Sequence, residues 1–346
     1  MSTTAADKAG LGLTPAPVAS RLRRSLTTPT GAVFPIMLLL FVVLLLVSPT
    51  FAQPAEFTRL VGRMAPVVIV TVGQYFVLVS GEFDLSMGAV IGAQVVVAGN
   101  FIGGQDARIL PGLAIMVVLA IAVGLVNGLV TTFLRVPGFI TTLGTMLALS
   151  GITFYITGGA ASRNPSDHFR DVGRGGVSLP VIEYLPWSVL VLAAVLAYAA
   201  WLMRRPFGRL LLAVGDNEAT VTLAGASVWW LRTRAYVLSA VLATIAAVLL
   251  VGFAGTYPTV GQGYQYTAIA GAVIGGVVLG GGRGWVLSAA AGALVLESLV
   301  SVLNALGVSS TWLDTVQGVL ILAAVSITAI RVPRVRLRRP TRSSHS

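Results

Sequence analysis

The chain has 346 residues, of which 56% are hydrophobic and only 10% are charged. Soluble domains carry about 25% charged residues, so this composition excludes an ordinary soluble protein and indicates a chain that crosses a membrane several times. The net charge of +11 does not indicate nucleic-acid binding, because most Lys and Arg residues fall in tails and short loops, where they would orient the chain in a membrane. Cysteine is absent, and the two histidines are far apart, so neither thiol chemistry nor a metal site is expected.

Apolar stretches dominate the sequence after residue 30. Residues 1–30 are polar and are predicted to be a disordered cytoplasmic tail, and residues 332–346 form a second, basic tail. Between them, a transmembrane domain is predicted at 31–331, because apolar runs of near-spanning length follow one another there. The predicted spans are 33–50, 61–79, 85–102, 110–134, 138–158, 185–203, 233–255, 266–281, 284–304 and 312–330. The predicted fold is therefore all-α, a polytopic bundle of about ten transmembrane helices.

The distribution of basic residues gives the orientation. With the N-terminal tail inside, most of the 23 Lys and Arg residues fall on the cytoplasmic side of these spans. An odd number of spans would place one of the two basic tails outside. We therefore expect a multi-pass membrane protein with both termini in the cytoplasm.

Two acidic residues, Glu82 and Asp84, lie between the second and third spans, in the sequence Gly-Glu-Phe-Asp-Leu-Ser-Met-Gly at 81–88. A carboxylate at bilayer depth costs about 2.5–3.5 kcal/mol, so it usually faces a protein interior or a wet cavity. The two flanking glycines indicate a broken backbone, which a membrane tolerates only where protein or water surrounds it. Asp84, with Ser86, could cap the third span or line a translocation path. Glu82 could line the same path or be a cytoplasmic boundary charge.

Other polar side chains inside predicted spans are further candidates for a translocation path. Glu297 lies deep in the ninth span, where a carboxylate requires a polar partner, a proton or a cavity. Amides and hydroxyls could hydrogen-bond a polar solute, although such groups more often join helices to one another. These candidates are Gln94, Asn127, Thr141 and Asn304.

Two polar loops have two interpretations each. The external loop Gly159–Pro186 is either a simple connection or part of a docking surface for an external partner. The cytoplasmic segment after Phe207 contains Asn217, a suitable helix N-cap, then Glu218 at the positive helix end and Gly225 as a stop. These signals predict a two-turn helix there, which is either an ordinary loop helix or a rigid lever that docks into another protein.

Glycine is abundant, yet a phosphate-binding loop is excluded. Such a loop ends in Gly-Lys-Ser/Thr, and the only lysine is Lys8. The pairs Gly124/Gly128 and Gly271/Gly275 have the spacing that lets membrane helices approach closely. No cofactor is expected.

Four segments resemble, in order, the signatures of the permease subunits of bacterial ABC importers for monosaccharides, the ribose/xylose/arabinose type. The resemblance covers about residues 33–330, and it implies that the predicted domain at 31–331 is a permease domain in the bacterial plasma membrane. The segments are residues 81–88, Asn127-Gly128 with Val136–Gly144, Phe207–Gly225, and Ala268–Gly276 with Gly281–Gly284.

This resemblance implies several partners: a second permease subunit, identical or different, an ABC ATPase beneath the pore, and an extracytoplasmic sugar-binding protein. The segment Gly215–Gly225 would be the coupling helix seated in the ATPase. One departure is that Ala219-Thr220-Val221 stands where the family has Glu-Ala-Ala. The residues implied in ATPase coupling are Gly208, Arg209, Gly215, Asp216, Asn217, Glu218 and Gly225.

Two other classes of function compete with this one. In an ion-coupled secondary transporter of a small polar solute, Glu82, Asp84 and Glu297 would carry protons. A membrane-embedded enzyme is disfavoured, because the chain has no Cys, no clustered His and no Ser–Lys pair within a span. No catalytic residue is therefore predicted.

Overall fold

The computed structural model describes residues 28–180 and 182–309, together with positions 312, 315, 316, 318, 319 and 322. Most of the predicted tenth span and nearly all of both predicted tails lie outside these residues. The described chain is predominantly helical, and seven of its helices are long and apolar enough to cross a membrane, which confirms the predicted all-α membrane fold.

Twelve α-helices are present among the described residues. In chain order, α1 to α12 are Pro29–Val47, Pro54–Val79, Met87–Val97, Ile109–Phe133, Gly138–Thr157, Asp167–Arg174, Trp187–Arg204, Pro206–Asp216, Glu218–Leu223, Val228–Phe253, Tyr264–Ile274 and Val286–Ala305. A π-helical turn, Ala98–Ile102, extends α3, and two 3₁₀ turns lie at Pro49–Ala52 and Asp106–Arg108. The strands β1 (Gly176–Val177) and β2 (Leu185–Pro186) pair antiparallel. Each of the first nine predicted spans overlaps a helix.

Helix α2 forms the centre of the bundle. In the apolar 18-residue stretch of α2, 89% of the residues are buried, whereas only 17% are buried in that of α5. Helix α2 packs against α7, α10, α11 and α12, and α10 packs in turn on α4. Since a membrane lets peripheral helices expose apolar side chains to lipid, hydropathy alone does not separate central from peripheral helices.

Helices α3 and α11 are too short to span a membrane as regular helices. The prediction extended the eighth span to residue 281, but α11 ends at Ile274, because Gly276 takes a left-handed conformation (φ 83°) and closes the helix. At 1.5 Å per residue, the 11 residues of α11 reach only about 16 Å. Each short helix is bordered by irregular backbone, at 80–86 and at 275–285, and both irregular segments lie at the same end of the bundle.

Helix α8 was missed in the sequence analysis. Proline occupies its first position, which suits a helix start, and Phe207, Leu210, Leu211 and Val214 recur at helical spacing. Two of these, Leu211 and Val214, are fully or almost fully buried against the bundle. Helices α8 and α9 together form a cap over the end where the irregular segments meet. We call this the α9 end; it comprises residues 80–86, 134–137, 204–227 and 275–285.

The opposite end carries α6 and the two short strands, inside the predicted external loop. Helix α6 docks on α10 at a glycine pair: the Cα of Gly173 lies only 2.6 Å from where a Cβ on Gly252 would stand. The loop is therefore a folded element, held against the bundle by backbone contact.

Candidate translocation and coupling site

Asp84 lies at the centre of a buried hydrogen-bond network. It is only 1% exposed, and its Oδ1 accepts hydrogen bonds from the backbone N–H and the hydroxyl of Ser86, at 2.9 and 2.6 Å. Its Oδ2 accepts a hydrogen bond of 2.6 Å from the hydroxyl of Ser239 on α10. These three donors replace the hydration that a buried carboxylate loses. Asp84 thus joins the start of α3 to a long neighbouring helix.

The network continues from Ser86 to α4 and α5. The side-chain amide of Asn127, on α4, donates a hydrogen bond of 2.9 Å to the Ser86 hydroxyl. The side-chain oxygen of Asn127 accepts a hydrogen bond of 2.6 Å from the hydroxyl of Thr145 on α5. Three of the predicted candidates, Asp84, Ser86 and Asn127, are therefore in direct contact, and four helices meet at residues 84–86.

A second group of side chains links α9 to the same irregular segment. At the start of α10, Arg232 lies between two carboxylates: its Nη2 is 2.9 Å from Oε2 of Glu218, on α9, and its Nη1 is 3.7 Å from Oε1 of Glu82. Its Nε also donates a hydrogen bond of 3.4 Å to the carbonyl of Ser80. The other oxygen of Glu82 accepts the backbone N–H of Gly138, at the first turn of α5, at 3.0 Å. We call Glu218, Arg232, Glu82 and Gly138 the ionic chain.

The ionic chain is partly shielded from water. The side chains of Arg232 and Glu82 are 15% and 17% exposed, whereas that of Glu218 is 54% exposed. Burial raises the pKa of the Glu82 carboxyl, and Arg232 and the Gly138 N–H act in the opposite direction. Because an ionised Glu82 can accept from both Arg232 and Gly138, it connects α9 and α10 with the first turn of α5.

A junction of glycines provides a second connection at the α9 end. The carbonyl of Val79, the last residue of α2, accepts a hydrogen bond from the N–H of Gly282 at 2.9 Å. A Cβ on Gly215, in α8, would lie 2.0 Å from that carbonyl and 2.3 Å from the Gly282 nitrogen. Only a residue without a side chain allows this approach, so α8 rests directly on the backbone of the bundle.

The predicted helix signals in the cytoplasmic segment are confirmed. Oδ1 of Asn217 accepts the N–H of Thr220 at 3.1 Å and so caps α9, and Gly225 (φ 79°) stops the chain after it. The helix is shorter than predicted, with six residues. Among its side chains Val221 is buried, whereas Leu223 is 89% exposed at the tip.

The remaining predicted coupling residues lie on α8. Gly208 allows the tight turn from α7, because a Cβ there would lie 2.3 Å from the Cα of Met203. Arg209 is exposed and donates a long hydrogen bond of 3.4 Å to the carbonyl of Arg204. Asp216 is exposed and ends the helix, next to Gly282.

The other translocation candidates lie apart from the Asp84 network. Gln94 is fully buried and donates hydrogen bonds to the carbonyl of Met116 and the hydroxyl of Thr244, so it joins α3 to α4 and α10. Thr141 lies on α5 one turn before Thr145, and its hydroxyl is buried with no partner among the described residues.

The two candidates on α12 lie elsewhere. Glu297 is half-buried on α12, near the ring of Tyr264. Asn304 is exposed near the end of α12.

Two residues outside the predicted set complete the site. Arg232 lies just before the predicted seventh span, which began at residue 233, whereas α10 begins at Val228 and so includes this arginine near its start. Gln265 on α11 is 5% exposed, and its Oε1 has no hydrogen-bond partner within the described part of the chain. That oxygen lies 2.2 Å from where a Cβ on Gly88 would stand, so it points at the first turn of α3. A buried amide oxygen left in this way is suited to a polar solute or water.

These arrangements of residues are better suited to transmitting a conformational change than to catalysing a reaction. Among the described residues, no group of three His, Cys, Asp or Glu side chains could hold a metal ion. The α9 end instead combines an exposed helix, a direct backbone junction and a chain of charges that leads to the broken segment before α3.

Comparison with known proteins gives consistent matches. The family model described as "Branched-chain amino acid transport system / permease component" matches residues 57–325. The ribose import permease protein RbsC of Bacillus subtilis (strain 168) is 33% identical over 304 residues, which cover 84% of this chain and 89% of that protein.

Relatives named for other substrates match over similar lengths. The galactose/methyl galactoside import permease protein MglC of Escherichia coli (strain K12) is 28% identical, with 88% of this chain and 95% of that protein covered. The autoinducer 2 import system permease protein LsrC of Yersinia pestis (strain Pestoides F) is 29% identical, with 84% and 81% covered. No solved structure matches the chain.

Proposed function

Because the chain belongs to the permease-component family of branched-chain amino acid transport systems, we propose that it is the membrane-spanning subunit of an ATP-driven importer for a monosaccharide. The permeases that it resembles over more than four-fifths of its length are named for the import of ribose and galactose, and a third for autoinducer 2. The pore is formed by this chain, and the energy comes from a partner ATPase. A pentose or hexose is the proposed substrate.

The observation that carries the proposal is the construction of the α9 end. A docking helix must be exposed to its partner and rigidly joined to the elements that it moves. Helix α9 presents Leu223, 89% exposed, beside a shallow pit lined by Glu218, Ala219 and Thr222. The ionic chain and the glycine junction join α9 and α8 to the irregular segment before α3. We propose that the ATPase binds at α9 and that its movement reaches Asp84 and Ser86 along these two connections.

The outer face of α5 supports the proposed second permease subunit. Gly144 and Gly151 lie on this face, and a Cβ on either one would meet no described atom within 4 Å. Small residues on one face of a helix allow another helix to approach closely. Thr141 and Thr145, on the same helix, face the bundle instead: the Thr141 hydroxyl is buried, and that of Thr145 donates to Asn127.

The opposite end supports the proposed binding-protein partner. Helix α6 is fixed to α10 and carries paired charges: Arg174 lies 2.9 Å from Asp167 and 2.8 Å from Asp171, and His168 lies 2.8 Å from Asp106. A fixed, charged surface suits the reversible docking of a soluble protein. In this orientation the α9 end is cytoplasmic, and both termini lie on that side.

The competing secondary transporter requires carboxylates that can exchange protons with a path. Glu82 is engaged with Arg232 and Gly138, and Asp84 already accepts three hydrogen bonds. Both carboxylates therefore support fixed structural contacts better than proton carriage.

Reconstitution into liposomes tests the proposal. Uptake of labelled ribose or galactose should require ATP, the ATPase and the binding protein, and should persist with a proton uncoupler. Leu223→Ser should weaken ATPase association, whereas Leu306→Ser, at the other end of the bundle and 62% exposed, should not. Uptake that continues without the ATPase, or collapses with the uncoupler in the absence of ATP, would contradict the proposal.

A further inference from the structure

An open apolar groove of about 430 Å³ lies on the side of the bundle near the α9 end, between α4, α7, α8 and α10. Its walls are almost entirely hydrocarbon. They are formed by Ile121, Leu125, Leu202, Phe207, Val237 and Leu238. Neither the Asp84 network nor the ionic chain contributes a side chain to it.

The groove runs from the membrane surface toward the membrane interior. Leu125 and Ile121 lie about 12 and 18 Å before the end of α4, at 1.5 Å per residue. The hydrocarbon core of one leaflet is about 15 Å thick. The groove therefore has the depth of a single lipid leaflet, and its length matches an acyl chain.

Aromatic rings mark the level of the lipid headgroups at the mouth of the groove. Tyr198 and Trp201 stack on α7 with ring centroids 5.9 Å apart, and Trp229 and Trp230 follow one another at the start of α10. All four are partly exposed, between 40% and 53%. Tyr and Trp concentrate at the membrane–water interface, because one end of each side chain is apolar and the other is polar.

One arginine, Arg234, lines the groove, and three more lie in the turn between α7 and α8, next to the groove residues Leu202 and Phe207. The guanidinium of Arg234 stands 4.4 Å over the Trp230 ring, and that of Arg205 stands 4.6 Å over Trp201. Arg204 and Arg209 lie in the same turn region. Within the described ranges, none of these four forms a salt bridge with a carboxylate. Two of the guanidinium groups are thus held in place by aromatic rings while their positive charge stays uncompensated.

We propose that this groove binds an anionic phospholipid, with one acyl chain between α4, α7 and α10 and its phosphate at Arg205 and Arg234. The apolar wall excludes a purely polar ligand, and the cluster of uncompensated positive charge favours a lipid with net negative charge over a zwitterionic one. The bound lipid fills the space between α7 and α10 and contacts Phe207 of α8. It therefore stabilises the position of the coupling segment.

Native mass spectrometry of the full-length protein in detergent tests the proposal. The probes are phosphatidylglycerol, phosphatidylcholine with the same acyl chains, and soluble glycerophosphate. We expect phosphatidylglycerol to bind about tenfold more tightly than phosphatidylcholine, and glycerophosphate not to be retained. Equal retention of the two lipids, or retention of glycerophosphate alone, would overturn the assignment.

Two variants with matched controls locate the site. Arg205→Gln with Arg234→Gln should remove the preference for phosphatidylglycerol, whereas Arg283→Gln, an exposed arginine at the same end, should not. Ile121→Trp should fill the deep end and reduce binding of both lipids, whereas Val118→Trp, exposed on α4 outside the groove, should leave binding unchanged. Thermal unfolding of each variant shows whether it is folded. Unchanged lipid binding in both site variants, or loss of a dimer instead of a lipid in Ile121→Trp, would refute the proposal.

Discussion

Neutralising the two partly buried members of the ionic chain gives the sharpest test of how α9 is joined to the bundle. Arg232→Gln removes the guanidinium and leaves Glu82 facing the Gly138 N–H without its cation. Glu82→Gln keeps a carbonyl oxygen for Gly138 but removes the charge. We expect Arg232→Gln to destabilise the protein more than Glu82→Gln, because it leaves a partly buried carboxylate unpaired.

The distance between Arg232 and Glu82 and the exposure of their side chains set the expected coupling energy of the pair. Two unit charges 3.7 Å apart attract with roughly 4 kcal/mol at the effective dielectric constant of a protein surface, before desolvation is counted. Fully exposed pairs retain about 0.2–1 kcal/mol, and removing one partner of a buried pair costs about 3–5 kcal/mol. Since the Arg232 and Glu82 side chains are 15% and 17% exposed, we expect a coupling energy of about 1–2 kcal/mol between them. The pair of Arg232 with the more exposed Glu218 should contribute less than about 1 kcal/mol.

A double-mutant cycle measures this coupling energy. The free energy of unfolding is determined in mixed detergent micelles for the wild type, both single variants and the double variant. A matched cycle on Arg59 and Glu56, an exposed pair at the opposite end, should give a smaller value. In reconstituted importer, Arg232→Gln should also lower the amount of sugar transported per ATP hydrolysed, because α9 then moves without pulling on Glu82.

Additive costs would refute this reasoning. If the double variant is destabilised by the sum of the single costs, within about 0.3 kcal/mol, Arg232 and Glu82 do not act together. Normal transport stoichiometry in Arg232→Gln would likewise show that the ionic chain does not carry the motion, and would leave the glycine junction as the sole proposed connection.

Three further predictions concern the same end of the molecule. Gly215→Ala should cost more than about 2 kcal/mol of unfolding free energy, because its Cβ would stand 2.0 Å from the Val79 carbonyl; Gly104→Ala, which meets no described atom within 4 Å, should be nearly neutral. Asp84→Asn should lower the unfolding temperature by an amount that corresponds to about 2–3 kcal/mol, because an amide cannot accept all three hydrogen bonds, and an unchanged temperature would contradict the network. Asn217→Ala should remove the cap of α9 at a cost of about 1 kcal/mol and weaken ATPase binding in a pull-down, and full ATPase affinity would exclude a role for the cap.

Much of the helical framework could be predicted from local sequence. Apolar runs located nine of the helices, seven of them to within five residues at each end, and Asn217 and Gly225 predicted the cap and the stop of α9. Helix α8 was missed although its apolar residues recur at helical spacing, because the predicted helix in this cytoplasmic segment began only at Asn217. The start of α2 was placed seven residues too late, since Arg59 and Arg63 make its first turns look like a loop.

The site was predicted only in part. The sequence singled out Asp84, Ser86 and Asn127 as polar residues in apolar surroundings, and the structure brings these three together. The sequence did not indicate that Gln94 and Glu297 lie apart from these three residues, or that Gln265 points at the start of α3.

Spans, breaks and caps follow from the sequence by itself, because the forces behind them act between residues a few positions apart: burial of apolar side chains along one helix, and hydrogen bonds at its ends. Which distant groups meet was decided only by the tertiary structure. Ser239 is 155 positions from Asp84, and Arg232 is 150 from Glu82. No local pattern joins such residues, because their contact depends on how α2, α3 and α10 are arranged around one another. In a membrane that arrangement is determined by close packing and polar pairing more than by hydrophobicity.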